Sequence, residues 1–119
     1  MNTINLKKKF KLIKEHWHPH ILAELNHQEV KIAKLKGEFI WHKHKKEDEL
    51  FLVIKGTLQI AFRDKTVTLK KNEMIVVPKG VEHKPIANKE VLVLLFEPKG
   101  TLNTGNKKSN LSRKNLRKI

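Results

Sequence analysis

The chain of 119 residues has no cysteine. That absence excludes a disulfide framework, a thiolate zinc site and a thiol nucleophile, so any metal must be held by histidine, aspartate or glutamate. Aromatic residues make up only 6% of the sequence. None interleaves with the basic residues of the C-terminal tail, which removes the stacking contacts that single-stranded nucleic acid would need. No apolar run reaches the length of a signal-peptide core or a membrane span, so a cytoplasmic protein with no membrane partner is expected. The length fits one domain with a real hydrophobic core.

The formal net charge of +14 raises nucleic acid as a partner, so its distribution matters. Lys7, Lys8, Lys9, Lys11 and Lys14 face a single acid, Glu15, near the N-terminus, and Lys107, Lys108, Arg113, Lys114, Arg117 and Lys118 face none near the C-terminus. Residues 21–100 keep 15 bases against 11 acids, so the body is only mildly basic. A solvated, basic skin accounts for such ends, and nucleic acid is not the expected partner.

From Ile21 the chain reads as short strands broken by Gly, Pro, Asn and Asp: 21–25, 29–35, 40–44, 50–54, 57–63, 66–69, 74–77, 83–86 and 91–96. That pattern predicts an all-β sandwich or barrel. The expected organisation is an N-terminal segment (1–20) with a short helix near residues 3–9, a β body (21–100), and a basic tail (101–119) forming a short helix from Ser109 or Ser112. Leu50 to Ile54 and Val91 to Phe96 are apolar on both faces, so either the N-terminal segment or a second subunit must cover the outer one, and a homodimer is expected.

The chemistry concentrates between Gly37 and Gly56. Side chains alternate along a strand, so His42 and His44 share a face and can offer nitrogens to one metal ion. After a polar turn the apolar run 50–54 returns antiparallel and brings Glu49 beside them. His83, just beyond Pro78-Lys79-Gly80, is a fourth candidate. A second cluster, His16, His18 and His20 around Trp17 and Pro19, lacks a nearby carboxylate and lies outside the strand pattern, so it is not read as a metal site.

These residues resemble the two motifs of the cupin superfamily. Gly37, His42-x-His44, Glu49 and Gly56 match the first, and Pro78, Gly80 and His83 match the second. Gly37 stands one residue close to His42, Asn72 replaces the glycine that opens the second motif, and Ala87 stands where its asparagine would be, with Asn88 next to it. The resemblance implies a double-stranded β-helix, or jelly-roll barrel, with His42, His44, Glu49 and His83 as ligands of one divalent transition metal. Histidine with one carboxylate suits Fe, Mn, Ni, Cu or Zn without choosing between them.

Strand parity places Ile40, Phe51, Val53, Pro85 and Ala87 on the metal's side, with Gln59 facing them from a neighbouring strand. Such a pocket is apolar and has no evident second acid, base or Arg clamp, so the metal is its chemical group. The leading expectation is a metal-dependent enzyme, an oxygenase acting on a small organic molecule. The alternatives are a non-catalytic ligand-binding or sensing module, and a sugar isomerase or epimerase, because small cupins resemble the metal-binding core of mannose-6-phosphate isomerase.

Overall fold

A computed structural model describes residues 1–119. One short helix, α1 (Leu6–Phe10), precedes seven strands: β1 (His20–Leu25), β2 (Gln28–Glu38), β3 (Glu49–Lys55), β4 (Leu58–Phe62), β5 (Thr66–Leu69), β6 (Met74–Val77) and β7 (His83–Pro98). All the pairings between named strands are antiparallel. The architecture is the jelly-roll barrel.

β7 is the hub. Its first residues pair with β4, from Phe62↔His83 to Gln59↔Ile86, and its later residues lie between β2 and β3. The order across that wall is β1-β2-β7-β3-β6, with β6 at the edge. Two separate strands, 83–86 and 91–96, were expected here. They are one strand, because β2 shifts register between Leu35 and Gly37, so its far end pairs with β7 at Ala87 and Ile86.

The strand expected over 40–44 is not a ladder. It makes one isolated bridge, His42↔His83, with His42 N–H donating to His83 O at 3.1 Å and His83 N–H donating back at 2.9 Å. Pro85 accepts from Phe39 N–H but has no N–H to return, which ends the pairing there. Asn72 takes φ +69°, the left-handed conformation for which a glycine is usual, and asparagine is among the few side chains that visit it. The missing motif glycine therefore costs the turn little.

Alternation sorts each strand of the wall. Inside, Ala33, Leu35, Phe51, Val53, Leu58, Ile60, Val91, Val93 and Leu95 share one core cluster. Outside, Phe10 and Ile13 of the N-terminal segment pack on Leu22 and Ile32, with Ile54, Leu92 and Leu94 at the margin. The N-terminal segment therefore covers one end of the outer face. Met74 and Val76 on β6, 57% and 49% exposed, lie at the other end.

The tail is not a helix. Ser109 and Ser112 use their hydroxyls within turns, Leu111 N–H donating to Ser109 Oγ and Ser109 N–H to Ser112 Oγ, and Asn115 adopts φ +54°. Serine side chains that bind the backbone locally compete with helix, and a left-handed residue stops it. The last residue instead pairs with β1, Ile119 N–H donating to Ile21 O at 3.0 Å.

Candidate metal centre

The His42↔His83 bridge sets two imidazoles side by side, their ring centroids 4.3 Å apart. Each ring is oriented by its own backbone: His42 Nδ1 lies 2.9 Å from Ile40 O, and His83 Nδ1 lies 2.9 Å from Val81 O. A carbonyl can only accept, so Nδ1 carries the proton in both rings and Nε2 keeps a free lone pair. His44 is held by Gly80 N–H donating to its carbonyl at 2.7 Å. Glu49, the first residue of β3, places Oε1 3.3 Å from His44 Nε2 and 3.5 Å from His83 Nε2.

The ligand atoms of His42, His44, Glu49 and His83 all lie within 4.8 Å of one another, and all four residues are buried. His44 Nε2, His83 Nε2 and Glu49 Oε1 have no hydrogen-bond partner. Buried polar atoms left so cost about 1–3 kcal/mol each, and a divalent cation among them would satisfy the set. Nitrogen lone pairs with one carboxylate are the donors that late first-row divalent metals take. These four side chains can hold such an ion.

The electrostatics agree. Burial, with the neighbouring His83 adding to it, lowers the His42 pKa to about 4, so this ring is neutral and ready to ligate at pH 7. Burial alone would push Glu49 up, but its contacts with His44 and His83 win and hold it below the usual carboxylate range. Glu49 is therefore ionised.

A cavity of about 40 Å³ opens beside His42 and Glu49, walled by Trp17, Leu35, Phe39, Phe51, Pro85, Val93 and Leu95 among others. Of the side chains expected to line the pocket, Phe51 and Pro85 do so. Val53 and Ala87 point inward but belong to the packed core, and Ile40 is half-buried against it. Gln59 faces the other way, into an outer groove with Thr57 and Ile86. The Ile60↔Pro85 register explains this, because it is Ile60 that shares the inward side with Pro85.

The structure also corrects the expectation of a pocket without a second acid. Glu97 lines the same cavity, 2% exposed, and its Oε2 has no partner. Lys31, 1% exposed, donates to Glu97 Oε1 at 2.9 Å and lies 3.7 Å from Glu29. Burial first, then the charge of Glu49, raises the Glu97 pKa well above its ordinary value, against the pull of Lys31. Trp17 and Pro19 line the cavity too, from the segment set aside as a metal site. His16 pairs with Glu90 at 2.8 Å, and the rings of His18 and His20 lie tilted to each other, centroids 4.8 Å apart, without joining the ligand set.

Comparison with known proteins gives the same fold and family. A cupin domain family model matches residues 28–96. A cupin-2 domain containing protein from Shewanella frigidimarina is 50% identical, with 82% of this chain and 95% of that chain covered and a TM-score of 0.80. Protein NMB1881 from Neisseria meningitidis is 34% identical, with 82% and 99% covered and a TM-score of 0.75. An uncharacterized protein of Bacillus subtilis, YdbB, is 44% identical over 64 residues; the match takes in 53% of this chain and spans 57% of the length of that relative.

Proposed function

The chain belongs to the cupin superfamily, and on that premise we propose that it is a metal-dependent enzyme of the oxygenase type, acting on a compact organic molecule. The observation that carries the reading is the convergence of His44 Nε2, His83 Nε2 and Glu49 Oε1, unpartnered and buried, beside a cavity walled mainly by hydrocarbon. A bound Fe, Mn, Ni, Cu or Zn ion would supply a Lewis acid, and iron, manganese or copper a redox centre as well. The chain's own part is orientation and exclusion. Ile40 O and Val81 O fix the tautomers of His42 and His83, and Trp17, Phe39 and Phe51 keep bulk water from the metal's side. Glu97, held by Lys31, offers the substrate side one polar group.

Elemental analysis of untagged protein tests the metal, expected at about one equivalent per chain because the donor set is single. No transition metal after reconstitution would remove the site. Anaerobic loading with Fe(II), then oxygen uptake across a panel of small alcohols, acids and amines, tests the chemistry, with substrate-dependent uptake expected. Uptake that never depends on substrate would favour the second reading, a non-catalytic module, which the small volume of the cavity also supports. Thermal shift separates them, since a sensor is stabilised by a ligand that it does not turn over. A sugar isomerase finds less support. Arg63 stands outside the cavity, paired with Glu82 and stacked over Trp41, so it clamps no substrate phosphate.

We propose further that the protein is a homodimer through the uncovered end of its outer face, where Met74 and Val76 lie at the sheet edge.

A further inference from the structure

The tail lies outside the residues of the cupin match, yet it reaches the metal centre. Asn106 N–H donates to Lys43 O at 3.1 Å, and Lys43 N–H donates to Asn106 Oδ1 at 3.0 Å, so the tail is tied to the residue between His42 and His44. Gly105 sits at φ +55°, where a Cβ would overlap the Lys43 carbonyl oxygen and stand 3.3 Å from His44 Nδ1. Only glycine lets the backbone come so close. Thr104 is fully buried, its hydroxyl 2.6 Å from that of Ser112. Asn103 lines the cavity, but its amide is spent on the tail itself: Nδ2 donates to Leu111 O and Oδ1 accepts from Arg113 N–H, both at 2.9 Å. It therefore meets the cavity as a wall whose amide is fixed in orientation by the tail.

From this we infer that Asn103, held against the metal cavity by the tie of Gly105 and Asn106 to Lys43, is a specificity-determining wall residue that restricts what enters to ligands of a few heavy atoms. A water needs roughly 10–15 Å³ of such space, so the 40 Å³ present takes about three water-sized groups and no ring. The inference rests on the metal reading for its catalytic meaning, but the wall itself can be tested without metal.

Two arms of one experiment separate them. In the first, the full chain is loaded with Co(II) and its visible spectrum is titrated with azide, three atoms in line, and with imidazole, a five-membered ring. The wild type responds to azide and not to imidazole. Asn103→Ala, which removes wall with Co(II) stoichiometry unchanged, and Gly105→Val, which lifts the tail from Lys43, bind imidazole at least about tenfold tighter. In the second arm Trp17, which lines the cavity, is the only tryptophan of a metal-free Trp41→Phe chain. Dioxygen quenches its fluorescence, acrylamide does so poorly, and either tail substitution raises acrylamide quenching several-fold. Wild-type protein that admits imidazole and acrylamide as readily as the variants overturns the wall. A chain that takes no Co(II) overturns the metal reading alone, and the acrylamide arm still decides the wall.

Discussion

At one end of the β2-β7-β3 wall the two faces reverse the usual order of a sheet, while the rest of the inner face is the apolar core. Inside, Glu29 pairs in register with Glu97, and Glu49 follows on β3, where the next residues, Leu50 and Phe96, are paired. Three buried carboxylates thus run across three strands, with Lys31 among them. Outside, the residues one step along the same strands are Val30, Phe96 and Leu50, continued by Val76 on β6. At this end charge is inside and hydrocarbon outside. Burying ionised groups is costly unless they are compensated, so a protein keeps such a row only for what it holds. Three carboxylates against one lysine leave a formal surplus of two negative charges, which a divalent cation would cancel. The inner row can hold a cation, and the outer row is the face on which the proposed homodimer would pack.

The largest effect on this contrast is expected from Lys31→Met, which removes the one positive side chain of the row. Breaking a buried pair by deleting one partner typically costs about 3–5 kcal/mol, because the remaining charge has nowhere to go. Urea unfolding should show a loss in that range, and the double variant Lys31→Met, Glu97→Leu should recover most of it. A loss below about 1 kcal/mol would mean that the row does not depend on its lysine.

Acid comes next. The folded pKa of His42 is about 4 against an ordinary 6.5, so the folded state binds fewer protons than the unfolded one between those values. Stability contributed by neutral His42 is fully present above about pH 6.5 and lost as pH falls toward 4, by about 3 kcal/mol in the metal-free protein. Glu97 acts in the opposite sense, since its raised pKa adds stability as pH falls, and depressed Glu49 adds a loss lower down. The His42 part is therefore read as the difference between wild type and His42→Gln in urea melts from pH 7 to 4. Parallel curves for the two proteins would remove the assignment.

The cluster of four candidate ligands was legible because metal ligation needs particular residue types at particular spacing, and His42-x-His44, Glu49 and His83 have both. The barrel followed from short alternating runs. The inner charge row was harder to see, since Glu29, Glu97 and Glu49 are distant in sequence and meet only through strand register. A signal existed: the parity that puts Val91, Val93 and Leu95 inside also puts Glu97 there, one residue past the expected strand end. Gln59 failed for the related reason that parity along one strand says nothing about which face its neighbour turns inward. The tail was misread because serines that start helices also close turns, and only tertiary contacts with Lys43 decide between them.

The smallest effect on stability, and the sharpest test of the outer face, comes from Val76→Lys. Val76 is 49% exposed on β6, the edge strand, and Leu50 and Phe96 continue its row inward across β3 and β7. In an isolated chain a lysine there meets water and should change stability by no more than about 0.5 kcal/mol. In a dimer packed through this face the same lysine would be driven between two apolar rows, and a two-fold axis would place its charge near its own copy. Sedimentation equilibrium at micromolar concentration should then find the wild type dimeric and Val76→Lys monomeric, with nearly identical unfolding of the monomer. A wild type already monomeric would leave the inner face with its cation and the outer face with no second copy, and the homodimer would be withdrawn.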